Sequence, residues 1–112
     1  MNYKLIISYD GSNYSGWQIQ PNEKTVQGEL IIALENIFPN KNINLIGSGR
    51  TDSGVHANNQ VANFKVETKI SLLGIKRAIN SKINKDINIK SCILVPDDFN
   101  ARYSAVKRDY IY

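Results

Sequence analysis

The chain has 112 residues, 42% of them hydrophobic and 21% charged, with 14 Lys plus Arg against 10 Asp plus Glu for a net charge of +4. This is the size and make-up of one globular domain, long enough to bury a core without disulfide or metal staples, and not the composition of a disordered chain. The longest unbroken apolar run is five residues, Leu30 to Leu34, and near the start only Leu5, Ile6 and Ile7 are consecutive, so neither a membrane-spanning helix nor a signal peptide is expected.

Residues Tyr3 to Tyr9 alternate, with Tyr3, Leu5, Ile7 and Tyr9 on one side and Lys4, Ile6 and Ser8 on the other, the period of a half-buried strand. Asp10-Gly11 ends it, and a polar stretch rich in Gly, Ser, Asn and Pro runs to Lys24. From Thr25, a fair N-cap, Val26, Leu30, Ala33, Leu34 and Ile37 share one helical face, with Pro39 as the stop. Ile43 to Ser48 reads as a short strand that runs into Gly47-Ser48-Gly49. Gln60 to Glu67 alternates again, Ala62, Phe64 and Val66 against Asn63, Lys65 and Glu67. Ser71 caps a second helix lined by Leu72, Ile75, Ile79 and Ile83. Ile87 to Val95 alternates through Ile87, Ile89, Ile93 and Val95, and Val106 to Tyr112 reads as a further strand.

The order strand, helix, strand, strand, helix, strand is that of an α+β, ferredoxin-like split βαβ domain (βαββαβ). Two helices would cover one face of an antiparallel sheet and leave the other free. Residues 10 to 24 and 47 to 59 are long for connections in a small domain, and such segments often carry function.

The densest cluster of chemistry-bearing residues is Gly49-Arg50-Thr51-Asp52-Ser53-Gly54-Val55-His56-Ala57. Gly47-x-Gly49 starts like a dinucleotide fingerprint, but Asp52 holds the third glycine's place and no helix follows, so a phosphate cradle is rejected. Asp52 and His56 lack a convincing third metal ligand, with Cys92 far off in the chain, so no metal is expected. There remains one carboxylate near an arginine in a glycine loop after a strand. A carboxylate held out toward a ligand can serve as nucleophile or base. A turn-capping aspartate paired with Arg50 fits the local features equally well.

This cluster resembles the catalytic motif of the TruA-type tRNA pseudouridine synthases. So do Tyr9-Asp10-Gly11, Gly16-Trp17-Gln18-x-Gln20 and Thr25-Val26-Gln27 for the family's N-terminal signature, and Gln60-Val61-Ala62-x-Phe64 for the next strand. Pro96-Asp97-Asp98-Phe99-Asn100-Ala101-Arg102-Tyr103-Ser104-Ala105, followed by Arg108-x-Tyr110-x-Tyr112, is similar to the block after that. The resemblance implies isomerisation of uridine to pseudouridine at positions thirty-eight to forty of tRNA, in the anticodon stem and loop, with no metal or organic cofactor. It implies that Asp52 is the catalytic aspartate, that Tyr110 packs against the target base, and that Arg50 helps extrude the nucleotide and orient the acid. It also implies a homodimer in the full-length protein. Trp17 is expected to pack its loop against the sheet, and His56 to be a hydrogen-bonded loop residue.

Ser53 stands where the family commonly has alanine, and Asn59 where it commonly has glycine. Family members are about twice as long. Residues 1–105 are therefore expected to form the subdomain that bears the catalytic aspartate, and residues 106–112 to start a central strand leading into a C-terminal half. On that expectation the chain is an N-terminal half with little or no activity alone. A catalytically silent RNA-binding domain is the competing class, because RNA-recognition modules share the element order. Their basic-Gly-aromatic-Gly run is absent from Gln60-Val61-Ala62-Asn63-Phe64-Lys65. The single Cys92 excludes an internal disulfide framework and points to a reducing cytoplasm.

Overall fold

The alternation at the start of the chain builds β1 (Asn2–Tyr9), which lies at the heart of a four-stranded sheet of order β2-β3-β1-β4. The structure is a computed structural model, and residues 1–103 are the ones described. The strand expected over 106–112, Tyr110 within it and the boundary at 105 lie outside the described residues.

The remaining elements are α1 (Val26–Ile37), β2 (Ile46–Gly47), β3 (Ala57–Lys65), α2 (Leu72–Lys82) and β4 (Ile87–Val95). β1 pairs antiparallel with both β3 and β4, and β2 pairs antiparallel with β3. Each crossover helix thus joins two strands that have a third strand between them, as the split βαβ order requires. Thr25 and Ser71 cap the helices, their hydroxyls accepting the N–H of Gly28 and Gly74 at 3.1 and 3.0 Å. A cap of this kind contributes about 1 kcal/mol. Tyr3, Leu5, Ile7, Ala62 and Phe64 from the sheet form one core with Val26, Leu30 and Leu34 of α1 and Ile75 and Ile79 of α2. Both helices therefore cover the same face, and the fold is the α+β ferredoxin-like one expected.

Four details differ from the expectation. β2 keeps only Ile46 and Gly47 of the strand expected over 43–48. Ile43 and Leu45 are buried in the core, but the Leu45 carbonyl accepts the Gln27 side-chain N–H at 2.8 Å instead of a ladder bond. β3 starts three residues before Gln60, because the register from Ile7↔Gln60 to Tyr9↔Ala57 leaves one extra residue in β3, a bulge that alternation does not signal.

A second bulge interrupts β4. Ile6 faces Ser91 but Ile7 faces Ile89, so Lys90 is the extra residue and the side chains beyond it swap faces. Cys92 thereby enters the core face, and Ile93, expected in line with Ile89, is 44% exposed. Finally, the face opposite the helices is partly covered. Asn63 and Asn2 are each only 1% exposed there, under the chain segment after β4. Asn63 Oδ1 accepts the Ala101 N–H at 2.7 Å, and its Nδ2 donates to Asn2 Oδ1 at 3.1 Å. Asn2 Nδ2 donates to the Pro96 and Phe99 carbonyls at 2.9 and 3.0 Å. Every one of these buried amides is partnered, as burial of polar groups demands.

Candidate functional site

The glycine loop between β2 and β3 has no regular structure, and its shape comes from bonds at both ends and along one side. At its start the Ser48 N–H donates to the Val61 carbonyl at 2.8 Å, and Gln60 Nε2 donates to the Gly49 carbonyl at 2.7 Å. Along its side lies the segment after β1. The Trp17 N–H donates to the Thr51 carbonyl at 3.2 Å, and the Gly54 N–H donates to the Tyr14 carbonyl at 3.2 Å. The Thr51 hydroxyl and the Tyr9 phenol share a 2.7 Å hydrogen bond, and the Gly11 N–H donates to His56 Nδ1 at 2.9 Å.

Two glycines make this approach possible. A Cβ on Gly11 would overlap the Val55 carbonyl, and one on Gly16 would overlap the Thr51 carbonyl. Gly16 also has φ +85°, a conformation that L side chains rarely adopt.

The side chains beneath this contact are anchored in turn. Trp17 is 1% exposed and its ring stacks on Tyr9 with centroids 6.2 Å apart, so it packs its loop against the sheet as expected. Burial pushes the Tyr9 phenol above its ordinary value, and the Thr51 hydrogen bond offsets part of that rise. Tyr14 is buried and donates to the Asp86 carboxylate; burial, with that hydrogen bond adding to it, pushes its phenol up to about 12.

Asp10 sits at the rim, where the Ser12 hydroxyl and N–H donate to Oδ1 at 2.6 and 3.0 Å. These bonds first, and the His56 imidazole after them, hold its carboxyl below the usual range. The same oxygen lies 3.1 Å from His56 Nδ1. That nitrogen also accepts the Gly11 N–H. His56 is thus the hydrogen-bonded loop residue expected.

Asp52 stands at the crest of the loop. Its carbonyl accepts the Val55 N–H at 3.1 Å, and its carboxylate is exposed with no ion pair among the described residues. Arg50 is exposed too, and no salt bridge joins it to Asp52, so the paired, turn-capping reading finds no support here. Instead Arg50 lines a cleft of about 280 Å³ together with Trp17, Ser48 and Arg102. Tyr110 lies outside the described residues.

Tyr9, Gly11, Gly16 and Thr51, quoted within the motifs but given no role, and Tyr14 join the site through contacts about 40 residues apart in the chain. Among the described residues no three His, Cys, Asp or Glu side chains gather as a metal site, and no helix is long and apolar enough to cross a membrane. Cys92 is buried, which raises its thiol to about 11 and disfavours the thiolate at neutral pH.

The family model described as tRNA pseudouridine synthase matches residues 5–104. The chain is 52% identical over 111 residues to tRNA pseudouridine synthase A of Caldicellulosiruptor saccharolyticus, covering 99% of this chain and 45% of the relative. It is 46% identical over 112 residues to the protein of that name from Brachyspira hyodysenteriae, with coverage of 99% and 45%. Against that of Limosilactobacillus reuteri it is 49% identical over 112 residues, with coverage of 98% and 44%. The chain therefore spans about half the length of the curated relatives it matches.

Proposed function

This chain belongs to the tRNA pseudouridine synthase family, and from that premise we propose that it carries the catalytic carboxylate of an enzyme that isomerises uridine to pseudouridine in tRNA. Asp52 is that carboxylate. The observation that supports it most is an acid that is exposed, and unpaired among the described residues, on a loop whose flanks are fixed by hydrogen bonds to β3, β1 and the segment after β1. A group held in place yet free of partners keeps its lone pairs for substrate, whereas a structural aspartate spends them on the fold.

The reaction breaks the bond between the ribose C1′ and uracil N1 and forms one between C1′ and C5. N1 gains a proton and C5 loses one, so atoms and electrons balance without a redox partner. Asp52 acts at the nucleotide whose glycosidic bond breaks. A stem nucleotide must first be flipped out, at a cost of a few kcal/mol. Arg50, beside Asp52, helps to extrude it and to orient the acid, and the Tyr110 ring packs against the freed base, returning part of the cost by stacking. The targets are positions thirty-eight to forty of the anticodon stem and loop, in a cytoplasmic enzyme that needs no cofactor and assembles as a homodimer.

The detached base must turn within a closed, water-poor pocket. Among the described residues Asp52 is open to solvent, and for that reason residues 1–112 alone are expected to give little or no product. The test is pseudouridine formation on a tRNA anticodon stem-loop, read by nucleoside chromatography. Wild type and Asp52→Ala are each assayed as this chain and joined to the C-terminal half of a relative. Turnover by the joined wild type alone supports the reading. Equal turnover by the joined Asp52→Ala protein removes Asp52 from the chemistry, and a clear product from residues 1–112 alone removes the need for a closed pocket.

A further inference from the structure

The cleft beside the glycine loop is lined by two arginines and, among the described residues, by no acidic one. Its walls are Asn44 and Ile46–Arg50 on the sheet edge, Trp17 and Gln18, Gln27 of α1, and Arg102 after β4; Asp52 is not among them. Arg50 and Arg102 are both exposed, and neither takes part in a salt bridge among the described residues. The Arg102 guanidinium lies over the ring of Tyr103, 5.8 Å from its centroid.

Both arginines are placed by buried amides of one strand. Gln60, 8% exposed, donates to the carbonyl of Gly49, the residue before Arg50. Asn63, 1% exposed, accepts from the N–H of Ala101, the residue before Arg102. Asn100 Oδ1 then accepts the N–H groups of Arg102 and Tyr103 at 3.0 and 3.2 Å, setting the turn on which Arg102 stands. β3 thus fixes the backbone beneath two like charges that share one cleft.

Two cations at one concavity concentrate positive potential there, and the group that relieves it is an anion. Guanidinium forks match the paired oxygens of a phosphate better than any other common anion except a carboxylate. At about 30 Å³ per water, a cleft of about 280 Å³ takes a phosphate group with part of its hydration shell.

We infer that this cleft seats one backbone phosphodiester of an RNA strand, with Arg102 and Arg50 as its two ligands. That the anion belongs to RNA rests on the function proposed above; that an anion is bound rests on the cleft. Arg50 is two residues from Asp52, so the seated phosphate belongs near the reacting nucleotide. Arg102 becomes a substrate-binding residue from a part of the chain distant from the glycine loop.

The experiment titrates the ¹⁵N-labelled 112-residue chain with the dinucleotide UpU, with inorganic phosphate and with uridine, following the arginine Nε–H cross-peaks. The Arg50 and Arg102 cross-peaks are expected to shift together with UpU and with phosphate, and not with uridine. Arg102→Ala is expected to weaken UpU binding about ten-fold, the loss of one charge-assisted pair, with amide cross-peaks elsewhere unmoved; Arg102→Lys falls between. Shifts with phosphate but not with UpU overturn the RNA seat. Failure of either arginine to move in any titration, or a uridine response equal to that of UpU, overturns the anion site. Product formation decides the role of Asp52 and these shifts decide the cleft, so either reading can fail alone.

Discussion

Tyr9 and Thr51 show how residues outside the proposed chemistry set the place of Asp52. Tyr9 is 4% exposed and its hydroxyl is hydrogen-bonded to Thr51, the residue before Asp52. Tyr9→Phe keeps the packing on Trp17 and removes that bond, with an expected loss of about 1 kcal/mol in urea denaturation. In the protein joined to a relative's C-terminal half, turnover should fall with little change in KM, and Thr51→Ser should retain what Thr51→Val loses. Gly16→Ala is harsher, since it adds a Cβ at positive φ against the Thr51 carbonyl. Its expected cost is about 1–3 kcal/mol, measured in the same way. Tyr14 adds a pH dependence. Its folded-state value near 12 lies above the ordinary 10.0, so its contribution is full below pH 10 and is lost as pH rises toward 12. Tyr14→Phe should flatten the fall in denaturation midpoint over that window. Asp52 stood out as a candidate in the sequence because glycines, an arginine and an acid crowd into one short stretch. The contacts of Tyr9, Tyr14 and Thr51 were not legible there, since Tyr9 in an alternating strand reads as core, Tyr14 lies in a polar connection, and a hydroxyl's partner is a tertiary fact.

Among the elements, α1, α2 and β1 came through with their expected caps and faces, because helical and strand periods are local properties of the chain. The strands that departed are the two with bulges, where one added residue reverses everything after it. Ile89 and Ile93 test this directly, for an unbroken alternation would bury them alike. Ile89→Ala is expected to cost about 2–5 kcal/mol by cavity formation. Ile93→Ala is expected to cost under about 1 kcal/mol, as exposed positions do. Equal losses in urea denaturation would argue against the bulge at Lys90. The bulges also meet in space: Lys90 Nζ donates to the Asn58 carbonyl and to Asn59 Oδ1 at 3.2 and 2.8 Å. One irregularity in β4 is thereby tied across β1 to another in β3, next to the end of the glycine loop.

At the scale of the whole molecule, the sheet serves two faces with different materials. The helix side is apolar, and the other side is joined to residues 96–103 by the buried amides of Asn2 and Asn63. Reading Asn63 as an outward polar residue was reasonable from alternation alone, since nothing local announces that a later segment returns to cover it. Asn63→Ala leaves the Ala101 N–H without its partner, with an expected cost of about 1–3 kcal/mol. Hydrogen exchange over residues 96–103 should quicken far more than exchange in α1. Equal protection in the variant and the wild type would show that the segment is held by Phe99 and its neighbours instead.

The clasp on the glycine loop has a consequence for the order in which the protein folds. Its side-chain bonds join residues 42, 45 and 39 positions apart, each needing the closure of a long stretch of chain. These single contacts are expected to form after the pairing of β1 with β3, which closes a stretch as long but is held by a whole ladder of bonds, has brought the two segments within reach. Circular dichroism should therefore recover its sheet and helix signal during refolding before Trp17, lodged between Tyr9 and the loop, regains its native fluorescence. The Asp52 carboxylate reaches its place only in a molecule that is otherwise already built, so, on the function proposed above, a chain that has misassembled its sheet presents no half-formed centre to RNA.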